Sequence, residues 1–254
     1  MPENRISGKM NLEQRLRQVV ARVHAAELQY GREIGSVQIL PVSKTRSAEE
    51  MAAVMDLAIP EVGQAFGENY VQEAVDKITV LADRKVEWHF IGPIQSNKTA
   101  LIAQHFHWAH SVDRLKIAQR LNEQRPIGLP PLNVCLQVNV SGEASKSGIT
   151  LDELPALAEQ VALLPRLRLR GLMAIPAASE DPSAQRAAFH TVAEAFNLWK
   201  KTQHGKGIRG NGQYWDTLSM GMSADLEMAI AEGATIVRVG TDIFGTRLSS
   251  VKNR

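Results

Sequence analysis

Short apolar or β-branched runs alternate with helix-period segments along this chain, and that alternation limits its fold more than any other feature. The strand runs are 37–43, 62–66, 86–91, 107–110, 134–139, 167–173, 217–220 and 235–239. Helical patterns lie between them at 48–57, 70–81, 97–104, 112–124, 154–163, 183–199 and 224–231. An amphipathic segment over 10–33 precedes the first strand, with Leu12, Leu16, Val19, Val20, Val23 and Leu28 close to one face. Eight strands alternating with helices in about 250 residues is what a (β/α)8 barrel requires, with a doubly wound open sheet as the chief alternative. The expectation is therefore an α/β fold: a TIM-like barrel with an extra N-terminal helix, forming a single domain over 1–254. The Gly- and Pro-punctuated stretches 125–131 and 205–212 read as surface loops, not linkers.

Composition removes several classes of function. Charged residues make up 22% of the chain and nearly cancel at net +2, so neither a nucleic-acid groove nor a polybasic membrane patch is indicated. No run reaches the ~20 apolar residues of a membrane span, and the start, Met1-Pro2-Glu3-Asn4-Arg5, lacks an apolar signal core. The one cysteine, Cys135, cannot form an intramolecular disulfide and reads as a small buried hydrophobe in a strand. A reduced, cytoplasmic compartment is expected. His105, His107 and His110 invite a metal reading, but no Cys/Asp cluster accompanies them.

In a barrel, function gathers at the C-terminal strand ends, and phosphate is often held after strands seven and eight. Ser219-Met220-Gly221 and Gly240-Thr241 fall at those two places. Ser219 and Thr241 offer hydroxyls, while Met220, Gly221, Gly240 and Thr241 can turn backbone N–H groups toward an anion. Either glycine alone reads as a turn residue; together they describe a phosphate cup. Lys44 ends the first strand, where an inward side chain meets the barrel mouth. An exposed lysine, with a pKa near ~10.4, is too fully protonated to attack a carbonyl. Enclosure, with Arg238 close by, would lower that value and free an amine for Schiff-base formation. A phosphate ester bearing an aldehyde would use both features, and pyridoxal 5′-phosphate (PLP) is the commonest such cofactor. Arg238 interrupts an apolar strand and needs an acceptor: a carboxylate such as Glu68 or Asp216, or the pyridine nitrogen of that cofactor. Since arginine keeps its proton, a nitrogen facing it stays unprotonated, and the ring is a weak electron sink.

From Val37 to Arg247 the chain resembles the pyridoxal phosphate homeostasis proteins, single-barrel relatives of the alanine racemase N-terminal domain. The blocks that carry the resemblance are Val42-Ser43-Lys44-Thr45-Arg46, Phe66-Gly67-Glu68-Asn69-Tyr70-Val71-Gln72-Glu73, Trp88-His89-Phe90-Ile91-Gly92-Pro93, Ser145-Lys146-Ser147-Gly148-Ile149, Gly171-Leu172-Met173-Ala174-Ile175-Pro176 and the two phosphate segments. The resemblance implies reversible PLP binding on Lys44, phosphate contacts from Ser219, Gly240 and Thr241, and Arg238 at the ring nitrogen. Asn69 and Met173 match positions lining the pocket, with Met220 beside the phosphate segment. Ala174 replaces a frequent threonine. Asp242 stands where a small residue is usual, and must point away if phosphate affinity is to be kept. His89 is open between a core and a pocket role, and Lys146 between a solvated charge and a second PLP acceptor.

A racemase needs acid/base groups on both faces of its substrate. In the resembling racemases the second base is a tyrosine from a C-terminal β-domain of a partner subunit. Tyr30, Tyr70 and Tyr214 match no such base, and the chain ends soon after strand eight. The expectation is thus a monomeric PLP carrier with no catalytic residues and no metal, whose candidate partners are PLP-dependent apoenzymes; an amino-acid racemase is the alternative.

Overall fold

The computed structural model describes residues 10–141, 147–177, 179, 181–204 and 214–246. Lys146 and the stretch 205–212 lie outside the described residues. The elements run α1 (Leu12–Gln29), β1 (Gln38–Pro41), α2 (Ala48–Asp56), β2 (Ala65–Glu68), α3 (Val71–Val80), β3 (Glu87–Phe90), α4 (Thr99–His105), β4 (Trp108–Val112) and α5 (Leu115–Gln124). They continue with β5 (Leu132–Val138), α6 (Leu154–Ala162), β6 (Leu167–Ala174), α7 (Pro182–His204), β7 (Thr217–Met222), α8 (Leu226–Ala231), β8 (Ile236–Val239) and α9 (Thr241–Phe244). All paired strands are parallel, in the order β1-β8-β7-β6-β5-β4-β3-β2. An isolated parallel bridge between Val42 and Gly67 brings β1 and β2 together, leaving a nearly closed barrel as expected.

The local chemistry explains where the first helices start. Asn11 caps α1 through a capping box with Gln14, and Ser47 caps α2 in the same way with Glu50. Leu16, Val19, Val23 and Ala26 form the buried stripe of α1, with Leu12 and Val20 at its margin; Leu28, read from the sequence as part of that face, is 64% exposed. The largest apolar cluster joins helix and strand residues and is the layer between barrel and helices. Two smaller clusters contain strand and strand-end residues alone: Leu40, Val42, Ala65, Ile91 and Ile236; and Trp108, Cys135 and Met173. Since no helix contributes to them, they fill the barrel interior.

Several boundaries differ from the sequence reading. The second strand is Ala65–Glu68, although Val62 is also buried, so apolarity there marks packing and not ladder bonding. Val112, assigned to a helix, ends β4, and the helix after it begins at Leu115. The stretch 125–131 is a surface loop as read, exposed over 127–130 and anchored at its first residue. Arg125 is buried and donates to the carbonyls of Ala103, Phe106 and Pro130, tying the loop to the end of α4.

Candidate functional site

Lys44 follows β1 and is half-buried, and the backbone around it is unusual. Thr45 has φ +61°, a left-handed conformation that a β-branched residue adopts only under constraint. The constraint is a buried polar cluster. The Thr45 N–H donates to Glu73 Oε1 (2.6 Å), and Lys77 Nζ donates to Ser43 O (2.7 Å), Glu68 Oε1 (2.7 Å) and Glu73 Oε1 (2.6 Å). Ser43 Oγ adds a fifth tie, to Glu68 Oε1 (2.7 Å). Glu68 is fully buried and its Oε2 has no partner among the described residues; burial raises its pKa against the opposing pull of Lys77. Residues on both sides of Lys44 are therefore held from β2 and α3.

Asn69 sits just past β2, half-buried, and its Oδ1 is buried with no hydrogen-bond partner among the described residues. Gly92, after β3, packs against this turn: a Cβ there would lie 2.3 Å from the Asn69 carbonyl oxygen. Met173 is buried in the interior beside Trp108 and Cys135. Burial pushes the Cys135 thiol up to about 12, which makes it a poor nucleophile at neutral pH.

Arg238 lies inside the barrel, only 4% exposed. It meets neither Glu68 nor Asp216, the carboxylates considered from sequence; Glu68 pairs with Lys77 and Asp216 with Arg170. Its guanidinium donates instead to neutral oxygens: Ser219 O (2.6 Å), Ser219 Oγ (2.8 Å) and Ala174 O (3.0 Å). Burial lowers its pKa to about 10, so it remains a cation at neutral pH. Ser219 is fully buried, and His110 Nδ1 lies 2.8 Å from the same hydroxyl. His110 Nε2 in turn meets His89 Nδ1 at 3.0 Å. Neither histidine partner of this chain was assigned from sequence, because the residues are far apart along it.

At the ends of β7 and β8 the two glycines differ. Gly221 has φ +91° and a Cβ there would fall 2.5 Å from Ala229 Cβ, so the fold itself demands glycine. Gly240 has φ −110°, and a Cβ would meet Val42 only at ordinary contact distance, so neither backbone nor packing requires it. It caps α9, whose first turn carries the N–H groups of Thr241 and Asp242. The Met220 side chain is buried in the helix-facing core. The Asp242 carboxylate is turned toward α1, where Arg22 NH1 holds it at 2.6 Å. Arg22 also binds Glu227 (2.7 Å) and the Ser223 carbonyl (2.9 Å), so one side chain ties the segments after both strands. Among the described residues no group of three or more His, Cys, Asp and Glu could hold a metal ion. None of their helices is long and apolar enough to cross a membrane.

A nearly closed parallel barrel with a lysine after its first strand and glycines at the ends of its last two is one class of protein, and residues 19–248 match the family model described as alanine racemase, N-terminal domain. Two relatives narrow the class. The pyridoxal phosphate homeostasis protein of Pseudomonas aeruginosa is 58% identical over 232 residues, 90% of this chain and 93% of that protein. Its namesake in Escherichia coli K12 is 51% identical over 241 residues, 93% of this chain and 97% of that one. The chain belongs to the pyridoxal phosphate homeostasis proteins within the alanine racemase N-terminal family. PipY of Synechococcus elongatus, solved with PLP bound, is 35% identical, with a TM-score of 0.70 over 90% of this chain and all of that one. An alanine racemase of Clostridium difficile, 14% identical with a TM-score of 0.65 over 93% of this chain and 58% of its own, shares the barrel fold.

Proposed function

We propose that this chain binds PLP reversibly at the barrel mouth and serves intracellular PLP homeostasis, without substantial catalytic turnover. The observation that carries the reading is Arg238: a buried cation whose acceptors are all neutral, inside a barrel whose 35% identical relative is solved with PLP. When bound, PLP supplies an aldehyde that condenses with an amine and can be exchanged to another amine.

The residues present fit that group. Lys44 provides the amine, and the Lys77–Glu68–Glu73 cluster holds its flanking backbone. The unpartnered Asn69 Oδ1 offers a polar contact, and Met173 an apolar wall. The phosphate falls to the backbone of Met220, Gly240 and Thr241 and to the Thr241 hydroxyl, with Asp242 kept aside by Arg22. Arg238 would meet the pyridine nitrogen and, as a cation that keeps its proton, would leave that nitrogen unprotonated, which favours retention of the cofactor over carbanion chemistry. The protein acts as a monomer, and PLP-dependent apoenzymes are its recipients.

Reduction of the PLP-loaded protein with borohydride, followed by peptide mass mapping, tests the reading. A phosphopyridoxyl group on the peptide containing Lys44, absent in Lys44→Ala, is the expected result. Robust racemisation or decarboxylation of amino acids by the purified protein would overturn it in favour of a PLP enzyme.

A further inference from the structure

Arg238 is the first member of a polar chain that crosses the barrel interior. From its guanidinium the contacts run to Ser219 Oγ (2.8 Å), from there to His110 Nδ1 (2.8 Å), and from His110 Nε2 to His89 Nδ1 (3.0 Å). His89 Nε2 lies 3.5 Å from Glu87 Oε1, longer than an ordinary hydrogen bond, and Trp108 Nε1 donates to that same oxygen at 2.6 Å. Ser219, His110 and His89 are all fully buried, while Glu87 opens to solvent at the start of β3. His89 also stacks on Trp108, with ring centroids 5.2 Å apart and planes 11° apart.

Two ends with fixed roles set the direction of the bonds: Arg238 can only donate, and the Glu87 carboxylate can only accept. Arg238 has no acceptor, so Ser219 Oγ receives its N–H with a lone pair. The Ser219 hydrogen then needs an acceptor, and among the described residues His110 Nδ1 is the one in reach. An accepting Nδ1 puts the His110 proton on Nε2, which donates to His89 Nδ1, and the His89 proton is left on Nε2 facing Glu87. Burial lowers the pKa of both rings, and the neutral forms that this pattern needs are the ones burial favours.

We propose that Ser219, His110 and His89 are positioning residues for Arg238: a one-way relay that fixes the guanidinium by committing the Ser219 hydrogen away from it. Ser219 therefore acts on the ring end of the ligand, through Arg238, and not on the phosphate. The proposal rests on the PLP reading above and reassigns the one hydroxyl whose two partners are both inside the barrel.

Two measurements test it. Long-range ¹⁵N NMR of the wild-type imidazoles at pH 7.5, without ligand, is expected to show His89 and His110 as neutral rings protonated on Nε2. A proton on Nδ1 of either ring, or a charged ring, overturns the relay. The second compares PLP with pyridoxal, which lacks the phosphate, as probes for Ser219→Ala. Loss of one charge-assisted acceptor predicts about a tenfold weakening, equal for both probes. A loss confined to PLP, or no loss for either, overturns the assignment. Were the wild type to bind neither probe, the PLP reading would fall while the tautomers still decided the relay.

Discussion

Replacing Lys77 by Met should cost stability in a strongly pH-dependent way, and the size follows from the cluster beneath Lys44. Met preserves most of the stem volume and removes the ammonium that Glu68, Glu73 and the Ser43 carbonyl share. Glu68 is fully buried, so its carboxylate must then either stay charged without its cation or take up a proton. Protonation sets the ceiling on the cost. From an unfolded carboxylate value near ~4.3, neutralising Glu68 costs about 3.7 kcal/mol at pH 7 and about 1 kcal/mol at pH 5. The orphaned Ser43 carbonyl adds about 1 kcal/mol at either pH. The sign follows the raised folded pKa of Glu68: the penalty is absent below the unfolded value and grows as pH rises through the folded one. Losing Lys77 removes the chief influence holding that value down, so the affected range extends upward toward neutrality.

Urea denaturation at pH 7 should therefore show Lys77→Met less stable than wild type by at most about 4–5 kcal/mol, narrowing to at most about 2 kcal/mol at pH 5, since the raised pKa of Glu68 already carries part of the penalty in the wild type. In a thermal scan the pH 7 loss corresponds to a fall of about 10–15 °C for a chain of this size. The double variant Glu68→Gln, Lys77→Met should lose the pH dependence and keep the smaller constant cost. PLP binding should weaken beyond the stability loss, because Thr45 then loses the setting that holds its left-handed backbone next to Lys44. An equal destabilisation at pH 5 and pH 7 would refute the reasoning.

Arg22→Ala should leave stability nearly unchanged, since its partners Glu227 and Asp242 are substantially solvated. It should weaken PLP binding several-fold at low salt by freeing the Asp242 charge beside the phosphate, and Asp242→Ala in the same chain should restore it. Unchanged PLP titration in the single variant would refute that role. Gly92→Ala drives a Cβ against the Asn69 carbonyl, a backbone contact that cannot yield cheaply. It should cost about 2–3 kcal/mol and weaken PLP binding as Asn69 is displaced, as read by a thermal scan and by PLP titration. A variant with the wild-type melting temperature would show that the turn has slack.

How much of this was legible in the sequence depends on whether the signal was periodic or pairwise. The barrel strands and α1 could be read because burial repeats along each element, as the stripe Leu16, Val19, Val23 shows. The strand boundaries could not, because Val62 is buried without joining the ladder and Val112 joins it at the edge of a helical pattern. α9, at four residues, is too short to show a period at all. The charged residues were misleading for a deeper reason. Glu73 and Lys77 stand four apart, the ordinary spacing of an exposed helix pair, yet the lysine is buried because β1 and β2 bring it Ser43 and Glu68. Arg125, at the start of a Gly- and Pro-punctuated loop, gives no local sign that it is buried against the end of α4.

The relay is the extreme case. His110 and Ser219 are 109 residues apart, and nothing local marks either as the other's partner. What the sequence did expose was the cost: an arginine in an apolar strand must find acceptors somewhere. Of the two acceptors the sequence left open, the carboxylate is not there; the barrel supplies neutral oxygens and passes the polarity on, through Ser219 and two neutral histidines, toward an acid at its edge. Glu87 lies at that edge, where His89 Nε2 faces it and Trp108 Nε1 donates to its Oε1; these contacts lower its pKa, and it stays ionised across the physiological range. Opposite charges thus sit at the two ends of a neutral wire, an arrangement that orients every dipole between them the same way. A carboxylate in direct contact would have neutralised Arg238 locally. The relay leaves its charge available to the mouth of the barrel.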